Sequence, residues 1–242
     1  MIDIKDIWME FKNTLFDSIS SASTTGAFGG AIEVDSAGTL AFDSCTGQNF
    51  YAKQTTSSNG GGSFLFSEFD GLFTLKILSS TFKTQTSAYG SSEKGKANSG
   101  TIERGSLFEL KGNNFDYTVI VTDSTFENCY GGVINGGGLS LVSQNARVKL
   151  TLSRNQFTKN VAAKGGSLYC YQCEIVESKS NVFNDGYANL GGDIFLHNLK
   201  LSGASPAKFS FHKHYNTIAN TNGAAFYYLE ESTSLVSRIS LV

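Results

Sequence analysis

Small-residue pairs followed by apolar residues recur along the chain: Gly29-Gly30-Ala31-Ile32, Gly61-Gly62-Ser63-Phe64, Ser99-Gly100-Thr101-Ile102, Gly131-Gly132-Val133-Ile134, Gly165-Gly166-Ser167-Leu168, Gly191-Gly192-Asp193-Ile194 and Asn222-Gly223-Ala224-Ala225. Their spacing runs from 26 to 38 residues and centres near 32. Between them lies a second mark, an apolar-x-apolar step followed five residues on by Phe. It reads Met9-x-Phe11 to Phe16, Leu75-x-Ile77 to Phe82, Val119-x-Val121 to Phe126, and Leu150-x-Leu152 to Phe157. Two copies are degenerate: Val176 with Ser178 leads to Phe183, and Phe209-x-Phe211 leads to Asn216. The copy ending at Phe50 is poor.

These steps alternate with period two and are short, whereas a helix needs apolar residues at i, i+3, i+4 and i+7. Each unit therefore predicts a Gly-opened strand, a loop, an alternating strand, a Phe-anchored turn and a loop back. A propeller blade would need about 40 to 45 residues, and a leucine-rich repeat its Leu and Asn ladder. The spacing predicts an all-β chain, a right-handed parallel β-helix of about seven coils, forming one domain over residues 1–242. Coils stacked at about 4.8 Å would make a rod roughly 34 Å long.

Register then assigns faces. Two places after the second small residue stand Ile32, Phe64, Ile102, Ile134, Leu168, Ile194 and Ala225, all apolar and expected in one inward ladder. Two further on come Val34, Phe66, Arg104, Gly136, Cys170, Leu196 and Tyr227, where Arg104 and Gly136 break the pattern. The intervening outward places hold Tyr169, Phe195 and Phe226, then Tyr171, His197 and Tyr228, in the last three copies. Such a strip is either covered by a loop or a neighbouring chain, or it is a binding surface for protein or sugar. As a lateral surface it should tolerate replacement of Tyr169 and Phe195 by Ser without loss of folding.

The repeat resembles the right-handed β-helix repeats of the pectin-lyase-like class, and most of all the Gly-Gly-Ala-Ile and Phe-x-x-Asn repeats of chlamydial polymorphic outer-membrane autotransporters. Gly29-Gly30-Ala31-Ile32 and Phe157-Thr158-Lys159-Asn160 match fully, while Phe126 is followed three places on by Cys129 and Phe183 by Gly186. The resemblance implies an adhesive or structural module at a cell surface or outside the cell. Its alternatives are an intracellular structural assembly and a carbohydrate-active lyase or hydrolase, because one fold serves all of these roles.

Composition narrows the chemistry. Charged residues make up 17% of the chain and the net charge is −2, so there is no basic face for nucleic acid. No apolar run reaches the roughly 18 residues of a membrane helix. Asparagine is plentiful, yet no Asn-X-Ser/Thr acceptor occurs, which argues against a glycosylating secretory route. Acidic residues are scattered, with Asp185 and Asp193 read as solvated turn residues, so no carboxylate pair suggests an enzyme. Cys170-Tyr171-Gln172-Cys173 has metal-ligand spacing, but i and i+3 on a straight strand face opposite ways, so buried thiols are expected instead of zinc. His197, His212 and His214 would join such a site only if loops converged. Gly60-Gly61-Gly62 and Gly136-Gly137-Gly138 lack the Lys-Ser/Thr of a phosphate loop. No cofactor and no metal is expected, and the partner is a protein, a neighbouring copy or a carbohydrate.

Ile239-Ser240-Leu241 repeats the apolar step, and its Phe would fall beyond Val242. The chain is therefore expected to be a segment of a longer protein, or to have its end covered by another subunit. Expressed alone it should associate end to end, and sedimentation at micromolar concentration checks this: a stable monomer is the contrary result.

Overall fold

The computed structural model describes residues 7–18, 20–23, 32–34, 37–54, 64–84, 107–129, 135–200, 207–231 and 239–241. All regular structure among them is β-strand. The strands form two eight-stranded sheets, one seven-stranded sheet and a two-stranded pair, and the pairing is parallel. No helix among the described residues is long and apolar enough to cross a membrane.

The chain enters the three large sheets in rotation. Tyr117–Thr122 lies in the first, Thr125–Glu127 in the second and Leu139–Ser143 in the third, and Val148–Ser153 then returns to the first beside Tyr117–Thr122. Each such pass sets its strands alongside those of the pass before it. Alternation does the sorting: Tyr117, Val119 and Val121 are buried while Thr118, Ile120 and Thr122 are half-exposed, as period two requires.

Because pairing is parallel and in register, equivalent residues stack into columns. In the first sheet Leu40, Leu75, Val119 and Leu150 form one, and Phe42, Ile77, Val121 and Leu152 the next. In the second sheet Phe82, Phe126, Phe157 and Phe183 stack with ring centroids 6.1, 5.0 and 4.9 Å apart. Their fully buried rings run along the middle of one continuous core.

The inward column of the third sheet differs from the expected ladder. It runs Ile32, Leu65, Phe108, Leu139, Leu168, Ile194, Phe226. Phe64 is buried but stands one place before the column, and Ile102 and Ile134 lie outside the described residues. The reason is that the repeat's glycine mark is set by backbone geometry. Gly136, Gly165, Gly191 and Gly223 have φ of 65, 62, 60 and 64°, so each is the first residue of its mark. The second is crowded: a Cβ on Gly166 would lie 2.2 Å from the carbonyl oxygen of Gly192 in the next pass. The fourth mark is thus Gly136-Gly137, not Gly131-Gly132. In the last mark Gly223 takes the first place, so Phe226 and not Ala225 is the inward residue.

Two degenerate copies are also explained. Val176 is the extra residue of a bulge, since Leu150 pairs with Ile175 but Thr151 with Glu177, and its side chain is exposed. Phe209 pairs with Ser178, which puts Phe211 on the turn with φ 56° and moves the Phe position to His214 instead of Asn216.

Between the first and second sheets each pass turns through a left-handed residue, among them Ser44, Ser79, Asp123, Arg154 and Ser180. None is glycine, so each carries a conformational cost of about 1 kcal/mol. The residue after each turns inward and ties successive passes together. Cys45 N–H donates to Ser80 Oγ at 3.0 Å and Ser80 N–H to Ser124 Oγ at 3.1 Å. Ser124 N–H donates to Asn155 Oδ1 and Asn155 N–H to Asn181 Oδ1, both at 3.0 Å. These otherwise orphaned buried amides are satisfied from the neighbouring pass.

Phe157 is flanked by Phe126 and Phe183 and is 1% exposed, so Phe157→Ala should cost about 3–5 kcal/mol. Leu72→Ala, at an exposed turn position, should stay within about 0.5 kcal/mol. Urea unfolding of both variants checks the pair.

Candidate functional site

The aromatic residues proposed from register divide in two. Tyr169, Phe195, Tyr171 and His197 do lie on the outward side of the third sheet: Tyr169 pairs with Phe195 and Tyr171 with His197. Phe226 and Tyr228 do not. They pair with Ile194 and Leu196 and pack against the core, because Gly223 shifts the register by one. The outward columns therefore continue through Tyr227 and Leu229. Tyr169 stacks on Phe195 at 5.5 Å, Phe195 on Tyr227 at 5.2 Å, and Tyr171 meets the edge of His197 at 4.8 Å.

Outward does not mean exposed here. Tyr169 is 6% and Phe195 0% exposed, and Glu109 and Ser140 in the same column are buried too. Lys164 Nζ lies 5.5 Å from the centre of the Phe195 ring, a cation–π contact. The Tyr169 hydroxyl lies 3.5 Å from His197 Nδ1, and His197 Nε2 lies 3.2 Å from the Glu231 carboxylate. Burial, with Tyr171 and Glu231 nearby, pushes the Tyr169 phenol up to about 12, so it is protonated at neutral pH. The strip is thus buried at Tyr169 and Phe195 and half-buried at Tyr171, His197, Tyr227 and Leu229.

A second constellation was not anticipated. Asp193, expected in a solvated turn, has its side chain fully buried. Its Oδ2 accepts from His214 Nδ1 at 2.7 Å and from Thr217 Oγ1 at 2.6 Å, while Oδ1 has no hydrogen-bond partner among the described residues. Burial raises this carboxyl, and the hydrogen bonds from His214 and Thr217 pull the other way. Gly186 makes the room, since a Cβ there would fall 1.9 Å from Asp193 Oδ1. One pass earlier the same corner holds Asn160 and Ser167, joined by Asn160 Nδ2 to Ser167 Oγ at 3.3 Å. His214 occupies the Phe column, its ring parallel to Phe183 at 4.8 Å. The signal in the sequence was a histidine five places after the second apolar position, visible only once Phe209 takes that position.

Cys170 and Cys173 are joined, with Cα atoms 5.9 Å apart. Gln172, at φ 60°, turns the chain between them, so both side chains enter the core; the straight-strand assumption fails at this residue. Cys45 and Cys129 are free and buried, and burial pushes the Cys129 thiol far up. Among the described residues no three His, Cys, Asp or Glu side chains converge as metal ligands.

Outside the core, charges pair from one pass to the next. Arg147 Nη2 meets Asp116 at 2.9 Å, Lys149 Nζ meets the same carboxylate at 3.2 Å, and Arg154 Nη2 meets Asp123 at 2.7 Å. Burial pushes Asp116 up, but hydrogen bonds from Arg147 and Lys149 outweigh it and hold the carboxyl below its ordinary value. Each pair is at least partly solvated, so water and salt screen it and it adds little to stability. Comparison with models of protein families, with curated proteins and with solved structures gives no match.

Since Tyr169 and Phe195 are buried, replacing both by Ser should lower stability by several kcal/mol rather than leave folding intact. A guanidinium titration of the double variant decides, and an unchanged midpoint would restore the free-strip expectation.

Proposed function

We propose that the chain is a right-handed parallel β-helix of about seven coils, acting as a non-catalytic structural or adhesive module that offers its lateral faces within a larger surface protein or assembly. The observation that carries this reading is where the polar chemistry goes. Asp116 with Arg147 and Lys149, Asp123 with Arg154, and Asn114 with Asp70 and Asn145 each join one pass to the next. Carboxylates so engaged serve the stack.

The strict rotation of strands through three parallel sheets supports a helical path, and right-handed crossovers are the strong preference for parallel strands in one sheet. Seven rungs at about 4.8 Å give a body roughly 34 Å long. The Gly-Gly and Phe marks support kinship with β-helical surface repeats, and a protein partner or a neighbouring copy fits a face of that length.

The test labels Lys12 and Lys179, which occupy one outward column through Asp43, Leu78, Thr122 and Ser153. Spin labels on Lys12→Cys and Lys179→Cys should lie about 24 Å apart at the backbone, five rungs of roughly 4.8 Å. A distance near half or twice that value overturns the helical path. The same protein, incubated with polygalacturonan and with neutral glucans, should release no new reducing ends; release would replace the structural reading with a carbohydrate-active one.

A further inference from the structure

Departures from the repeat concentrate in the pass formed by Ala207–Ser210, Lys213–Tyr215 and Phe226–Leu229. Where earlier passes place Asn155 and Asn181 on the inward turn this one has His212, and where they place Phe157 and Phe183 it has His214. The turn column, a thiol, hydroxyl or amide from Cys45 to Asn181, and the Phe column, unbroken from Phe82 to Phe183, both change to imidazole in this one pass, which marks a place with a different task.

The two imidazoles lie flat on the core. His212 stacks on Phe183 at 5.9 Å and 13°, His214 on Phe183 at 4.8 Å and 5°, and the two rings are 6.2 Å apart. His212 Nε2 is 3.1 Å from Ser178 Oγ of the preceding pass, and its ring also meets the edge of Phe209 at 5.6 Å. His214 is held by Asp193 at 2.7 Å, so a charge on it is compensated. A charge on His212 has no such partner.

We propose that the pass spanning residues 207–229 is an acid-sensitive closure of the core, shut while His212 is neutral and loosened when His212 takes up a proton. Among the described residues the ionisable groups against this pair are Asp193, on His214, and the two histidines themselves. Glu177, Lys179 and Lys213 are exposed on the opposite side of their strands, and Tyr228 directs its hydroxyl to Glu230. A protonated His212 therefore sits beside a second imidazole, over an aromatic ring and a serine hydroxyl, with no carboxylate of its own.

The direction of the pH effect follows. Burial lowers the His212 imidazole from its ordinary 6.5; a hydrogen bond with the Ser178 backbone opposes this and His214 adds to it. The stability contributed by neutral His212 is complete above about pH 6.5 and is lost as pH falls through the lower folded value. Asp193 runs the opposite way, being raised, so the carboxylate does not cause an acid-side loss in this range.

The experiment is hydrogen exchange on the full 242-residue chain at pH 7.5 and 5.0, expressed as protection factors so that intrinsic rates cancel. Amides of residues 207–229 should lose protection at pH 5.0, while those of Tyr117–Thr122 stay unchanged. His212→Asn restores the residue of the two preceding passes and should remove the pH dependence while keeping the protection. Equal protection at both pH values, loss shared by the central strands, or a drop that persists in His212→Asn would overturn the proposal. An NMR titration of the His212 ring in the unaltered chain covers the case of a variant that does not fold. A midpoint below the ordinary imidazole value supports the closure, and one at or above it refutes it.

Discussion

Parallel strands paired in register set each residue directly against its equivalent in the next pass, at about 4.8 Å. Every column then has to be chemically self-compatible along its length, because a side chain's nearest neighbours are copies of its own position. Phenyl rings stacked 4.9 to 5.0 Å apart from Phe126 to Phe183 meet that condition, as do the amide and hydroxyl groups from Ser80 to Asn181. Unlike charges meet it by alternating within a column, which is how Asp123 comes to hold Arg154. The core, the inward turns and the outer faces all follow from this one spacing.

The same spacing explains what was legible in the chain. Columns built from apolar or phenyl groups announce themselves by recurrence, so the strands at Leu75–Ile77, Val119–Val121 and Leu150–Leu152 and the Phe column could be read directly. Columns defined by backbone conformation could not. Whether a glycine is the first or second of its mark depends on φ, and Gly223 looked like either. That single ambiguity exchanged Phe226 and Tyr228 for Tyr227 and Leu229 in the outward strip. An insertion such as Val176 is equally silent, since a bulge adds a residue without adding a signal.

Burial was the other quantity that register could not supply. Alternation tells which side of a sheet a residue takes, not whether that side is open, and Phe195 is outward and yet fully buried. The Asp193 cluster was missed for a related reason. Its members are 21 and 24 residues apart in the chain, and only the loss of a side chain at Gly186 makes a carboxylate fit there. Repeats hide their exceptions in the places where several columns change together.

The Cys170–Cys173 bond joins two strands of adjoining sheets within a few residues and never crosses from one pass to the next. Successive passes are therefore held by hydrogen bonds, ion pairs and packed apolar and aromatic side chains, with no disulfide between them. Under tension applied through the backbone, such a chain has no covalent rung to arrest it, and it would yield one pass at a time, each release setting free a similar length of chain.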